Sequence, residues 1–422
     1  MLKFTYIKIG VVKMYKKHIF VKFYAAMLLF VAGSLSAGTL PDNIEFGTKL
    51  NLFTAKASIP SGFLADYKTT YLKLDIDFAY NITEDLSFNF LPYVWASYYA
   101  DREDKNQTKA RIWQAYLKYG IGNFDFNLGR FDFVDKALSP FIYFGDNLPK
   151  DLALPTSLDG IKHNFTGKYI NYTLLLAQEA QIDTNAKAKL AGAKITGKPL
   201  SWLNLSTFYF RQNKKYIRDG INRESSLSVY GGGIDLFFNE NSGFRFYGAK
   251  NGGENKRIGP VITQKVPYKG YAFNCELYFR NLYKAGSLDN KLGFYKFSEK
   301  DKFYTFPSKL ETGIIYGGMN YNNNLPASPQ IIYAVLDFNF KKYPFLYTGA
   351  GLFVYSSGKE NANNHNYYAQ EINLNAQVKF DTWGLKLSGG LFEGEALFLG
   401  GTTTDKQKIK KLQAKFFYKF TL

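Results

Sequence analysis

The residues of this chain that could do chemistry are mainly lysines and arginines, because histidine and cysteine are scarce. Among 422 residues there are 53 Lys and Arg against 35 Asp and Glu, with three His and one Cys. So few soft ligands argue against a His- or Cys-based metal site, a disulfide framework and a catalytic triad. No P-loop lysine pattern, paired-cysteine motif or Gly-x-Ser-x-Gly occurs, so we expect no cofactor, no metal and no enzymatic activity. The remaining chemistry is electrostatic attraction of anions.

Arginines are the best candidate ligands for such anions, since the planar guanidinium binds carboxylate or phosphate through two parallel hydrogen bonds. One lysine and three aspartates complete the candidate set, the acids facing the bases across a common space. The predicted pore and substrate-binding residues are Arg111, Arg130, Lys162, Arg245, Arg280, Asp135, Asp146 and Asp159. Two alternatives stay open for the arginines: solvated wall residues, or partners of lipid A phosphates at a membrane rim.

The elements that must position these residues are β-strands. Apolar and polar residues alternate with period two over segments 72–80, 271–280, 332–340, 372–380 and 412–420. Each segment is roughly ten residues long, the length of a tilted membrane strand. The 33 Tyr and 39 Phe residues favour strands, and the last segment runs almost to the C-terminus. Alternation alone fits either a soluble sandwich or a membrane barrel.

The connections favour the barrel. Nine long loops, among them 134–157, 211–225 and 298–329, alternate with eight short turns, among them 281–290, which predicts 18 strands. Reading 302–318 as an extra hairpin would give 20, and 16 is the lower alternative. Long loops outside and short periplasmic turns are typical of outer-membrane barrels. We therefore predict an all-β fold, a transmembrane antiparallel β-barrel of about 18 strands over residues 38–422.

The N-terminus is expected to be an export signal rather than part of the barrel. Basic residues at Lys16, Lys17 and Lys22 precede an apolar run over 23–35 and small residues suited to cleavage. Met14 starts a better-proportioned signal than Met1. Removing 1–37, which holds six lysines and no acids, lowers the formal charge from +18 to +12. An uncleaved anchor is the alternative.

Loop 134–157 is apolar for a surface loop. Its stretch from Pro140 to Phe144 would be costly to leave in water. We expect the loop to fold into the barrel and constrict it, with Asp135 and Asp146 near the narrowest point. Packing on the rim or on a partner subunit is the alternative.

Two stretches resemble a known family. WQAYLKYGIGNFDFNLGRFDF (113–133) followed by SLDGIKHNF (157–165) is similar to the alginate-export type of outer-membrane porin, with Gly129, Arg130, Asp159 and Gly160 at the matching positions. KFYTFPSKLETGIIYGGMNY (302–321) looks like a later loop of that family. The resemblance implies diffusion of an anionic polysaccharide through an arginine-lined pore of 18 strands. Strict alternation nevertheless puts Arg130 on the lipid side with Leu128, unless a bulge at Gly129 turns it inward.

These features predict an anion-preferring porin of the bacterial outer membrane that passes small hydrophilic solutes, extending to acidic oligo- and polysaccharides. Expected partners are outer-membrane lipid, lipopolysaccharide and the barrel-assembly machinery, but no nucleic acid; the oligomeric state stays open. The alternatives are a surface adhesin, or an outer-membrane hydrolase of lipid or peptide, for which only His163 and His365 could serve in the mature chain.

Overall fold

The computed structural model describes residues 43–58, 67–99, 107–144, 157–180, 187–218, 221–258, 263–298, 329–357, 368–395 and 406–421. The predicted signal at 1–37, including Met14, lies outside these residues. The described part contains 19 strands. They are β1 (Ile44–Ser58), β2 (Tyr67–Asn81), β3 (Leu86–Tyr99), β4 (Gln107–Ile121), β5 (Phe124–Phe131), β6 (Leu158–Thr166), β7 (Ile170–Glu179), β8 (Lys187–Leu200), β9 (Leu203–Arg218), β10 (Ile221–Asn239), β11 (Ser242–Ile258), β12 (Thr263–Pro267), β13 (Tyr271–Tyr283), β14 (Gly286–Phe297), β15 (Pro329–Phe340), β16 (Leu346–Ser357), β17 (Tyr368–Lys379), β18 (Trp383–Glu395) and β19 (Lys406–Thr421).

The strands close into one antiparallel barrel. Each strand pairs with its neighbours in the chain, and β1 pairs with both β2 and β19. The short β12 pairs only with the end of β11, while β11 continues to β13, so 18 strands form the ring. The predicted fold class and strand number are confirmed. Within the described ranges, no helix is long and apolar enough to cross a membrane.

Alternation sets which side chains face outward. On β17, Ile372 and Leu374 are 50% and 63% exposed, whereas Glu371 and Asn373, which alternate with them, are 0% and 8% exposed. Around the ring, apolar side chains cover the outside, while the inside carries polar side chains together with buried aromatic ones such as Phe210 and Tyr333. Closure gives every wall strand two hydrogen-bonded neighbours, which is what a sheet in hydrocarbon requires.

Two predicted connections are wrong. The supposed long loop 211–225 is mostly strand, since β9 runs to Arg218 and β10 starts at Ile221, with Lys215 paired to Glu224. The turn predicted over 281–290 is also too long, because β13 ends at Tyr283 and β14 begins at Gly286. The first error arises because a strand beyond the apolar band has polar residues on both faces and therefore resembles a loop in sequence.

A bulge in β4 changes the facing of its upper half. Leu91 pairs with Gln114 and Pro92 pairs with Ile112, which leaves Trp113 as the extra residue. Proline has no N–H for the ladder, so a bulge beside it is a suitable place for the register to shift. Below the bulge Leu117 faces outward, and above it Ile112 does, so Arg111 turns inward opposite Tyr93.

Candidate functional site

The inside of the barrel holds a chain segment as well as wall side chains. After β5 the chain leaves the wall, and Phe133 and Phe144 pair through two backbone hydrogen bonds of 2.7 and 2.9 Å. Between them Leu138, Phe141 and Ile142 are buried. We call residues 133–144 the inner segment.

The inner segment packs on the inner face of β9. The Phe133 ring lies 5.4 Å from the ring of Phe210, and the Phe141 ring stacks on Phe208 at 5.9 Å. Phe208 and Phe210 share the inward register with Ser206, while Tyr209 between them is 47% exposed on the outside. The segment therefore lies within the barrel because its apolar side chains cover inward-facing phenylalanines.

One ion pair ties the inner segment to the wall. Lys194 Nζ of β8 lies 2.6 Å from Asp135 Oδ2, and the same ammonium stands 5.9 Å from the centre of the Tyr247 ring. The other oxygen of Asp135 accepts hydrogen bonds from the backbone N–H groups of Ala137 and Leu138 at 2.9 and 3.2 Å. Asp135 thus starts the turn and anchors it, and its basic partner is a lysine rather than an arginine.

Arg245 faces inward, as expected, but it is held by carboxylates. Its Nε donates to Asp235 Oδ1 at 2.8 Å and its Nη1 to Glu276 Oε1 at 3.4 Å. Tyr247 donates to the second Asp235 oxygen at 2.9 Å, and Tyr333 donates to the second Glu276 oxygen at 2.7 Å. Two carboxylates offset one guanidinium, so this network has no cationic surplus to offer an anionic solute.

Arg280 is compensated in the same way. Its guanidinium makes a two-pronged ion pair with Asp289 on β14, directly opposite it in the ladder, with Nη2 to Oδ2 at 3.0 Å. Lys162 also faces inward, where its ammonium donates to the backbone oxygen of Asp132 at 3.4 Å and stands 5.3 Å from the Phe131 ring. Asp146 lies outside the described residues.

Arg130 and Asp159 lie on the outside of the barrel, which corrects their assignment to the pore. The ladder runs through Gly129 with no register shift, pairing Arg130 with Ala115 and with Asp159. Leu128 and Ile161, two residues away on the same face, are 54% and 46% exposed. The bulge that would have turned Arg130 inward is absent from the described strands β5 and β6.

The pair forms a compact ionic contact on that face. Arg130 donates to both Asp159 oxygens, at 2.7 and 2.9 Å, and its third nitrogen donates to the backbone oxygen of Ile112 at 3.2 Å. Gly129 beside it has φ +126°, and a Cβ there would lie 2.4 Å from the Ala115 carbonyl oxygen. The Gly-Arg pair therefore serves the wall rather than the lumen.

The closing strands of the barrel carry a further group of inward cations, and these are lysines rather than arginines. Lys386 of β18 pairs directly with Lys415 of β19, and Lys419 of β19 pairs with Lys49 of β1. All four share the inward register with Ser388 and Gln413, which are 8% and 6% exposed. We call Lys49, Lys386, Lys415 and Lys419 the lysine wall.

The lysine wall is costly to the fold, because like charges directly opposite each other in a ladder are destabilising. In the described residues of β18 and β19 no carboxylate faces inward, since Glu393 and Glu395 have the outward register. Only the register shows that the four lysines meet in pairs.

His163 gives no sign of catalytic use. It lies on the outer face, stacked 4.1 Å from the Phe126 ring and packed edge-on to Tyr172. Its buried Nε2 makes no hydrogen bond within the described residues. His365 lies outside them. A general base needs a hydrogen-bonded nucleophile, and His163 has none.

No protein-family model matches the chain. No curated protein matches it either. Solved structures do. The structure of Pseudomonas aeruginosa OccK5 (OpdH) is similar with a TM-score of 0.58 at 12% identity, covering 92% of this chain and 100% of that one. P. aeruginosa OpdQ gives 0.59 at 12% identity, covering 91% and 100%. Acinetobacter baumannii OccAB3 gives 0.58 at 10% identity, covering 90% and 100%. At such identities the similarity establishes a shared barrel fold.

Proposed function

We propose that the protein is a passive porin of the bacterial outer membrane with a preference for small hydrophilic anions. The observation that carries this proposal is the lysine wall inside a closed barrel of 18 strands. A barrel of this size is too wide for wall side chains to fill, so it leaves an aqueous channel. Inward lysines that meet in two like-charged pairs raise the local anion concentration, although Asp75 lies opposite Lys49 in the ladder.

The fold and the outer surface support the membrane location. The apolar exterior suits lipid, and the similar solved structures are outer-membrane porins. The alternating strand β19 closes the barrel at the C-terminal end, which fits recognition by the barrel-assembly machinery. Export through the signal at 1–37 completes this proposal.

The inner segment is proposed to narrow the channel. Its buried apolar residues and its Lys194–Asp135 anchor hold it against the wall of β8 and β9. Acidic oligo- and polysaccharides extend the proposed solute class, since the resemblance to alginate-export porins and the lysine wall both favour repeated carboxylates. The hydrolase alternative has no support from His163.

A swelling assay on vesicles tests the porin proposal. Liposomes carrying the protein should swell faster in glucuronate than in glucosamine at equal concentration, and protein-free liposomes should not swell. Equal swelling rates in the two sugars would contradict the proposed anion preference. If the liposomes do not swell in any solute of this size, the porin proposal is contradicted.

A further inference from the structure

The outer face of β8–β11 carries three neighbouring cations without acidic partners. Lys189, Arg211 and Lys250 are exposed and have the outward register of Ile195, Tyr209 and Phe246. In the described part of the chain none of the three has a carboxylate within salt-bridge distance. We call these three residues the cationic border patch.

The patch marks the upper border of the apolar band. Outward side chains below it are apolar or small, such as Ile195 on β8 and Leu205 on β9. Tyr209, Tyr230 and Tyr271 are 47%, 41% and 45% exposed at this border, and Lys250 lies between the latter two in the ladder. Exposed tyrosines mark the headgroup level of a membrane, so the three ammonium and guanidinium groups lie at headgroup depth.

Several other outward cations are compensated, whereas Lys56 on β1 and Lys410 on β19 have no ion pair within the described residues either. One level higher, Lys215 pairs with Glu224 at 2.8 Å and Lys256 with Glu254 at 3.0 Å. On β5 and β6 Arg130 pairs with Asp159, and on β19 Lys408 lies 3.6 Å from Glu393. A counter-ion for the border patch must therefore come from outside the described chain.

The spacing of the patch suits more than one phosphate group. Arg211 lies one strand and two residues of register from Lys189, and two strands and two residues of register from Lys250, which correspond to roughly 8 and 12 Å along the sheet. Long flexible side chains at that separation can reach two charged groups on one headgroup.

We propose that the cationic border patch binds the phosphates of lipid A, the phosphorylated glycolipid of lipopolysaccharide. This inference rests on the proposed outer-membrane location, which sets the end of the barrel with long loops toward the cell exterior. Apolar wall below and cations at the border match a lipid with acyl chains and a phosphorylated headgroup.

The test compares lipid retention by native mass spectrometry of the intact protein. The probes are diphosphorylated lipid A, a phosphate-free lipid A analogue and phosphatidylglycerol. The variant is K189Q/R211Q/K250Q. The matched control is K215Q/K256Q/K408Q, which removes the same number of positive charges from acid-paired positions. Anomalous migration of unboiled protein on a denaturing gel verifies that each variant is folded.

We expect the wild type and the control to retain diphosphorylated lipid A in preference to both other lipids. The border-patch variant should bind it on the order of a hundredfold more weakly, the loss expected for three cations at a membrane surface. Equal loss in both variants, equal binding of the phosphate-free analogue, or stronger binding of phosphatidylglycerol would overturn the proposal.

Conductance separates this inference from the proposed function. The three residues face away from the lumen, so the variant should conduct as the wild type does in a neutral bilayer. If the protein conducts but does not bind lipid A, only the lipid A proposal is contradicted. If the protein binds lipid A but does not conduct, only the porin proposal is contradicted.

Discussion

Lys386 of β18 and Lys415 of β19 are direct partners in the barrel ladder, and both point inward. Lys49 and Lys419 repeat the arrangement across the closing seam of the barrel. Each pair brings two positive charges together where a mixed pair would be more stable. The proposed gain is functional: a cationic stripe along an aqueous channel.

The first prediction concerns this stripe. The double substitution K386E/K415E should shift the reversal potential in a salt gradient toward cation preference, because two cations at one level become anions. The same measurement on K189E/K250E, which changes the same charge on the outer face, is the control. Equal shifts in both variants would mean that the charge acts from a distance, not from the lumen.

The second prediction concerns Arg130. Because Arg130 lies on the outside, R130Q should leave the reversal potential unchanged, since its charge does not face the permeating ions. R111Q is the inward comparison, because Arg111 has the inward register opposite Tyr93. A loss of anion preference in R130Q similar to that of the lysine variant would show that Arg130 reaches the channel.

The third prediction concerns the anchor of the inner segment. D135N replaces the charged partner of Lys194 by a neutral group of the same shape, which weakens a half-buried ion pair but keeps the turn-starting hydrogen bonds. We expect noisier single-channel currents with more frequent transitions between conductance levels. S139A, which removes only a hydrogen bond from Ser139 to the backbone of Asp135, is the milder control. Quiet, wild-type currents in D135N would show that apolar packing alone holds the segment.

The fourth prediction concerns Gly129. G129A should destabilise the barrel by about 1–3 kcal/mol, because its φ of +126° disfavours a side chain and the new Cβ would meet the Ala115 carbonyl. G389A is the matched control, since nothing lies within 4 Å of a Cβ built at that position. Guanidinium unfolding in lipid vesicles, followed by tryptophan fluorescence, compares the two. Equal midpoints for both variants would contradict the geometry at Gly129.

Much of the architecture could be predicted from the sequence, because the alternation of apolar and polar residues shows which side chains face outward. The inward register of Lys386 and Asp337 and the outward register of Leu374 follow from residue parity, and the ladder confirms them. The ends of the strands were harder to predict from the sequence. The hairpin around Lys215 and Glu224 is polar on both faces and reads like a loop until the pairing is known.

The candidate site was still harder to predict from the sequence. Alternation shows which side of the barrel a charged residue faces, but only the strand register shows which opposite charge neutralises it. Asp235 and Glu276 lie far from each other in the chain, yet both meet Arg245 because their strands flank β11. The alternation in β5 correctly placed Arg130 on the lipid side, whereas the family resemblance suggested that it lines the pore. The pairing of Lys49 with Lys419 depends on β1 meeting β19, which the alternation within a single strand does not show.

The most direct test of the central claim is the reversal potential of the wild-type protein in a planar bilayer with a salt gradient. An anion-preferring channel predicts a potential of the sign set by anion flow down the gradient, and oligouronates added to one side should reduce the current. A potential of the opposite sign, or a membrane that does not conduct at all, would contradict it.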